Sequence, residues 1–209
     1  MKKLIILIFL LSVTSVKSQW DISAGMGINQ VNASSFREYI NVIRNGDLND
    51  FFTAADFFGT VNYSVSEDYQ VGIEIGYSIY SYNTDFITGK YDISLGVLRP
   101  SVLLLYVITG EGYKLKLGGG VGIRLFNVNE KIPPIDQDFS TLGFGVLLKA
   151  EGYTKLSDNL YAVIGFDTRL DFTGDLENDD LTLYNSVDRE NVTVGSFSVG
   201  IKLGVSYYF

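Results

Sequence analysis

Four carboxylates, Glu74, Glu151, Asp167 and Asp171, fall on the polar side of alternating segments. Acids so placed can act as general acid–base pairs or as oxygen ligands for a hard cation. Four cations share that side, Arg99, Lys149, Arg169 and Lys202, with Arg124 as a fifth. Acids interleaved with bases at strand spacing read first as ion pairs, because a charge withdrawn from water needs a partner. The sequence holds no His and no Cys. That removes the commonest general base, the commonest metal ligand, thiolate metal sites and any disulfide framework. The expectation is that Glu74, Arg99, Arg124, Lys149, Glu151, Asp167, Arg169, Asp171 and Lys202 form an interior ion-pair network. No catalytic residue, cofactor site or metal site is expected.

A second acidic group lies in a long connection, 173–192: Asp175, Glu177, Asp179, Asp180, Asp188 and Glu190 against Arg189. Hard oxygen ligands suit Ca²⁺, but the spacing fits no defined Ca²⁺ loop. A solvated acidic surface loop is the simpler expectation. Asn191-Val192-Thr193 fits a glycosylation sequon, which is weak evidence here.

The elements that position these charges are strands. Between Thr193 and Phe209 one parity reads Phe197, Val199, Ile201, Leu203, Val205, Tyr207 and Phe209. The other reads Ser196, Ser198, Gly200, Lys202, Gly204, Ser206 and Tyr208. A period of two is the strand signature. The same alternation recurs over 20–29, 58–65, 69–82, 90–108, 113–127, 139–156 and 160–172, giving eight strands. Long and short connections alternate between them. Within 90–108 the apolar parity changes at Leu98, so a β-bulge near Leu98–Pro100 is expected to keep Arg99 off the apolar face. In the first long connection, 31–56, Ser35 and Glu38 suit a capping box. Phe36, Tyr39, Ile40 and Ile43 follow at helical spacing, with Gly46 as a stop, so a short amphipathic helix is expected.

One face of every strand is apolar; the other is Gly- and Ser-rich. A soluble lipocalin-like barrel would turn the apolar face inward. Small residues suit instead the cramped interior of an eight-stranded barrel. Tyr69, Tyr77, Tyr91, Tyr106, Tyr113, Tyr161, Tyr207 and Phe209 sit mainly near strand ends, as aromatic girdles do at the two membrane interfaces, with only Tyr161 out of phase. The expected fold is all-β: an eight-stranded antiparallel up-and-down transmembrane β-barrel with a short helix in the first outer loop.

Residues 1–18 read as a secretory signal, with Lys2 and Lys3 before the apolar run Leu4–Leu11. The barrel domain would be 19–209. Losing Lys2, Lys3 and Lys17 would take the net charge of −8 to −11. No basic patch points to nucleic acid.

The strand Leu98-Arg99-Pro100-Ser101-Val102-Leu103-Leu104-Leu105-Tyr106 and the terminal Val205-Ser206-Tyr207-Tyr208-Phe209 resemble the "porin family" outer-membrane β-barrel domain. The architecture is similar to the small OmpA/OmpX/OmpW-type barrels. That resemblance implies a bacterial outer-membrane location, contact with outer-membrane lipid and lipopolysaccharide, and a terminal assembly signal. Tyr207 and Phe209 would carry the signal, read by the barrel-assembly machinery. Enzymes exist on such barrels, but the known types lean on His, which this sequence lacks, so no enzyme is expected. The expected role is a structural or interaction barrel whose outer loops meet a protein partner, with a narrow channel for small or apolar solutes as the alternative. If the 157–159 turn is symmetric about Asp158, Lys149 faces Asp167 and the two form an inward ion pair, with Glu151 and Arg169 close by. Glu74 and Arg99 are expected near each other.

Overall fold

The computed structural model describes residues 19–44, 49, 52–86, 89–132, 134–178 and 181–209. The expected signal at 1–18, the Gly46 stop, Asp179 and Asp180 lie outside the described residues.

Eight strands meander antiparallel: β1 (Trp20–Asn32), β2 (Phe52–Ser64), β3 (Tyr69–Phe86), β4 (Gly89–Gly110), β5 (Tyr113–Ile132), β6 (Ile135–Lys155), β7 (Leu160–Thr173) and β8 (Ser196–Tyr208). Each pairs with its sequence neighbours, and β8 closes on β1 from Asp21↔Tyr208 to Asn32↔Phe197. Closure leaves no free strand edge, the condition for putting a sheet in lipid. Outward positions carry exposed aliphatic side chains such as Ile73, Leu104, Leu148, Ile164 and Leu203. Inward positions carry buried charge and small residues. An apolar exterior around a polar interior is the membrane arrangement, not that of a soluble barrel.

Aromatics band the short-turn end: Trp20 packs on Tyr63 at 4.8 Å, Tyr69 on Tyr106 at 5.4 Å and Tyr207 on Phe209 at 5.0 Å between ring centroids. Towards the long-loop end Phe144 stacks on Phe172 at 5.0 Å.

The sequence pattern misplaces the ends of the central strands. The connections expected at 83–89 and 128–138 are mostly ladder: pairing runs on to Phe86↔Gly89 and to Ile132↔Ile135. Along these extensions parity continues but polarity inverts. On β5 the outward Leu115, Leu117, Val121, Ile123 and Leu125 give way to Asn127 and Lys131, while the inward side turns from Lys116 and Arg124 to Phe126 and Val128. The polar outward face of this upper storey suits a hydrated surrounding and not hydrocarbon.

The same inversion removes the expected bulge in β4. Its register holds through Tyr77↔Leu98, Gly76↔Arg99 and Ile75↔Pro100, and Leu98↔Leu125 and Ser101↔Gly122 keep one register on the other side. Tyr91, Ile93, Leu95 and Val97 are apolar yet point inward, all buried, above Arg99 on the same face. Tyr91 is therefore part of an interior core and not of a girdle. Pro100 faces out and Arg99 reaches the lumen with no break in the strand.

Helix α1 (Ser34–Arg44) buries Phe36, Tyr39 and Ile40 as its spacing requires. It begins one residue before the expected cap, with Arg37 N–H donating to Ala33 C=O at 2.9 Å. Ser35 Oγ accepts instead from Thr193 N–H at 3.1 Å, so the box residue ties the helix to the last long connection. That connection contains two short ladders, Glu177–Asn178 with Leu181–Thr182 and Tyr184–Asn185 with Glu190–Asn191.

Candidate functional site: the sealed lumen

All nine charged residues expected in the interior are buried there. Glu74 on β3 is the hub. Its Oε2 receives Lys149 Nζ at 2.7 Å and its Oε1 receives Arg169 Nη2 at 2.8 Å, with Lys202 Nζ at 3.6 Å. Lys149 also pairs with Glu151 at 2.7 Å. Asp167 is held by Arg169 and Lys202, each at 2.7 Å. Arg124 pairs with Asp171, and Arg99 pairs with Asp56.

The β6–β7 register does place Lys149 opposite Asp167. The expected bond between them is not the one formed. Lys149 crosses the lumen to Glu74, while Asp167 turns to Arg169 and Lys202. Arg99 likewise does not bond Glu74; it lies opposite Gly76 and binds Asp56 and Ser78. In so narrow a barrel the space between opposite walls is as reachable as the next strand, so ladder neighbours do not decide partners.

Several interior residues went unread in the sequence. Asp56 lay in the expected first loop, but β2 begins at Phe52 and puts Asp56 on the face of Thr60 and Asn62. It also receives Lys202 at 3.2 Å. Asp21 accepts both Lys116 Nζ contacts at 2.8 Å, Asn62 Nδ2 at 2.8 Å and Gln70 Nε2 at 3.0 Å. Parity does put Lys116 on the inward face beside Lys114, though not in the expected ion-pair network, and would have flagged Asp21 beside Ser23. Leu103, Leu105 and Leu147 form a buried apolar cluster in the lumen. The glycines of β5 make room for it: Gly120 lies between Leu103 and Leu147, and Gly118 between Leu105 and Lys149.

Both ends are closed. At the short-turn end Tyr153, Val163 and Tyr208 form a floor with Tyr161, and Lys114 Nζ lies 3.5 Å from the Tyr208 ring centroid. At the long-loop end α1, the upper storeys of β4, β5 and β6 and the last connection share an apolar core of Phe36, Ile40, Ile93, Phe126, Leu176 and Val192, among others. Between this cap and the charges lies a cavity of only about 20 Å³, lined by Arg99, Asp171 and Ser198 below and by Ala33, Leu95 and Val97 above.

One carboxylate lies within the cap. Glu130 is buried and accepts from Tyr39 Oη at 2.9 and 3.0 Å and from Tyr91 Oη at 2.9 Å. It stands beyond the lipid-facing run of β5, which ends at Leu125. Burial pushes its pKa up, against the pull of the two hydroxyls; burial beside this carboxylate raises both phenols as well.

Chemically, each inward carboxylate of the network is neutralised by a fixed cation, and no three His, Cys, Asp or Glu side chains among the described residues gather as a metal site.

No family model matches the chain, and no curated protein matches it in sequence. Solved structures match in fold. Neisserial surface protein A is 14% identical, with 91% of this chain and 97% of that one covered at a TM-score of 0.54. Ail, the attachment invasion locus protein of Yersinia pestis, in complex with the heparin analogue sucrose octasulfate, is 13% identical over 93% and 100% at 0.56. A major outer membrane protein from Thermus thermophilus is 14% identical over 91% and 99% at 0.53. At such identities the likeness is one of fold, and the fold is that of the small bacterial outer-membrane β-barrels.

Proposed function

We propose that this outer-membrane barrel is a sealed structural and interaction protein, which meets its partners through the outer loops and not through its lumen. The observation that carries this is the triple closure: an aromatic floor, a salt-bridged middle and a packed apolar cap. A solute would have to displace all three. Wide conduction needs a water-filled interior, and here the interior is filled by side chains. A narrow channel for small or apolar solutes would need α1 to leave and the Glu74 hub to part. Catalysis is not proposed, since the lumen carboxylates are committed to cations. Residues 1–18 would direct export and be removed, Tyr207 and Phe209 would serve the assembly machinery, and lipopolysaccharide would surround the upper wall. A sulfated polyanion such as the one bound to Ail suits this chain poorly, because its outer surface carries Asp136, Asp138, Asp175, Glu177, Asp188 and Glu190 against few cations.

Planar-bilayer recording on refolded protein tests the proposal. No unitary steps are expected; steady steps that persist after α1 is crosslinked to the last connection would overturn it.

A further inference from the structure

The last long connection is held on a rigid frame. Leu176, Leu183 and Val192 bond backbone to backbone in a closed ring. Leu183 N–H donates to Leu176 C=O at 2.9 Å, Leu176 N–H to Val192 C=O at 3.0 Å and Val192 N–H to Leu183 C=O at 2.8 Å. All three side chains are buried in the cap. Successive strand residues face opposite ways, and paired ones share a face. With Leu183 and Asn185 turned inward, Thr182 and Tyr184 face out, Glu177 opposite the first and Asn191 opposite the second. The turn that follows is set by the buried Asn185. Its Oδ1 accepts from Val187 N–H at 3.1 Å, its Nδ2 donates to Asp188 Oδ2 at 2.6 Å and its C=O accepts from Arg189 N–H at 2.9 Å. Arg189 takes a left-handed φ of 58°, uncommon for a residue with a Cβ.

This frame keeps Leu181, Tyr184 and Val187 exposed. Among the described residues at the long-loop end they are the exposed large apolar side chains outside the barrel strands. An apolar side chain gains by leaving water, as Leu176 and Leu183 do a few residues away. Fixed outward on bonded backbone, these three cannot follow. Around them stand Asp175, Glu177, Asp188 and Glu190, with Arg189 as the one cation of this connection. We infer that the connection docks a protein whose contact surface joins apolar side chains to Lys or Arg. The inference rests on the outer loops being where partners meet the barrel, and adds which loop and what chemistry. Tyr184 supplies a large apolar body with a polar tip, the usual anchor of a protein interface. The acids favour a basic counterpart and repel an anionic one. A second copy is disfavoured, since two such loops would meet acid to acid. A frame already ordered leaves little conformational entropy to lose on binding.

The test uses the intact barrel in nanodiscs of zwitterionic lipid, with protein-free nanodiscs as the blank. Three short fluorescent peptides serve as probes: alternating Lys and Leu, alternating Glu and Leu, and alternating Lys and Ser. Fluorescence anisotropy should show the Lys/Leu peptide bound about tenfold or more tightly than either of the others, and weakened by salt. Tyr184→Ser with Val187→Ser should reduce Lys/Leu binding to the Lys/Ser level. Val187→Asp, at the tip of a turn, should weaken it several-fold, and Glu190→Gln should lessen its salt dependence. Equal binding of Lys/Leu and Lys/Ser overturns the inference, since surface charge alone would then act. Equal binding of Glu/Leu, or a Lys/Leu preference that the apolar variants leave unchanged, overturns it too. Heat-dependent gel mobility on the same samples separates a lost surface from a lost barrel; should a variant not fold, the wild-type ratios decide. Absence of the preference in a barrel silent in planar bilayers fails this inference alone, whereas steady bilayer steps with the preference intact fail the sealed reading alone.

Discussion

Lys149 Nζ reaches Glu74 Oε2 at 2.7 Å across the lumen, although Asp167 is its neighbour on the wall. The bond ties β6 to β3, two strands that share no ladder. Removing one partner of a buried pair strands the other charge, a loss of about 3–5 kcal/mol. Lys149→Met should therefore destabilise the barrel by about that much in urea unfolding from micelles. Adding Glu151→Gln should recover part of the loss, because Lys149 is the one cation paired with Glu151 among the described residues, whereas Glu74 keeps Arg169 and Lys202. Adding Asp167→Leu should recover none, because Asp167 keeps Arg169 and Lys202. Recovery with Asp167→Leu alone would show that the wall neighbours pair in solution.

The Tyr39–Glu130–Tyr91 cluster predicts a pH dependence of the cap. A carboxyl whose folded pKa is raised stabilises the fold while protonated. That contribution is complete below the ordinary 4.5 and fades as pH rises through the raised value. Amide exchange in α1, corrected for its intrinsic rate, should quicken from acid to neutral pH. Glu130→Gln keeps a hydrogen-bond acceptor without the charge and should flatten the profile. A wild-type profile as flat as the variant's would refute this role of Glu130.

Closure predicts heat-dependent gel mobility, and the glycine strip of β5 shows where it is weakest. A Cβ at Gly122 would press on the Pro100 carbonyl of β4, and one at Gly118 on the Leu104 carbonyl. Backbone cannot yield as a side-chain end can. Gly122→Ala should reduce the fraction that shifts on boiling, whereas Gly59→Ala, which meets nothing within 4 Å, should not. Equal folding of the two would argue against close packing of β4 on β5.

At the C-terminus, function and packing separate by parity. Tyr207 and Phe209 face lipid, while Tyr208 is buried in the floor. Deleting Phe209 should lower assembled protein in outer-membrane fractions. Tyr208→Ala should instead lower the stability of barrels that do assemble. Unchanged levels on deletion of Phe209 would remove its role in assembly.

The alternation made the eight strands, their faces and nine of the interior charges legible in the sequence, because a period of two survives whatever surrounds the strand. What lies outside was not legible from the period. Tyr91, Ile93, Leu95 and Val97 carry the same alternation as Val102 and Leu104, yet one set faces a packed cap and the other lipid. Hydrophobicity alone cannot tell an apolar interior from an apolar solvent, so a parity change looked like a bulge. Partner choice was hidden for another reason. Lys149–Glu74 depends on the distance across the barrel, which ladder pairing does not contain. Glu130 could not be picked out, since its acceptor role needs Tyr39 and Tyr91, one brought by a helix and one by an extended strand.

The change of outward polarity at Leu125/Asn127 on β5 and at Leu98/Gly96 on β4 also fixes how deep the molecule sits. From Leu115 to Leu125 the wall advances about 34 Å along the strand, or roughly 25 Å along the normal at a usual tilt. Sliding upward would bare this belt to water; sinking would drag Asn127, Ser140 and Glu177 into hydrocarbon. Neither end can give, because the strands above are rigid ladder and those below close in tight hydrogen-bonded turns. The lipid must therefore adapt to the protein, thinning around it wherever the hydrocarbon is thicker than the belt. Membranes of different thickness would then hold this barrel with unequal ease, and neighbours with belts of similar height would gather around it.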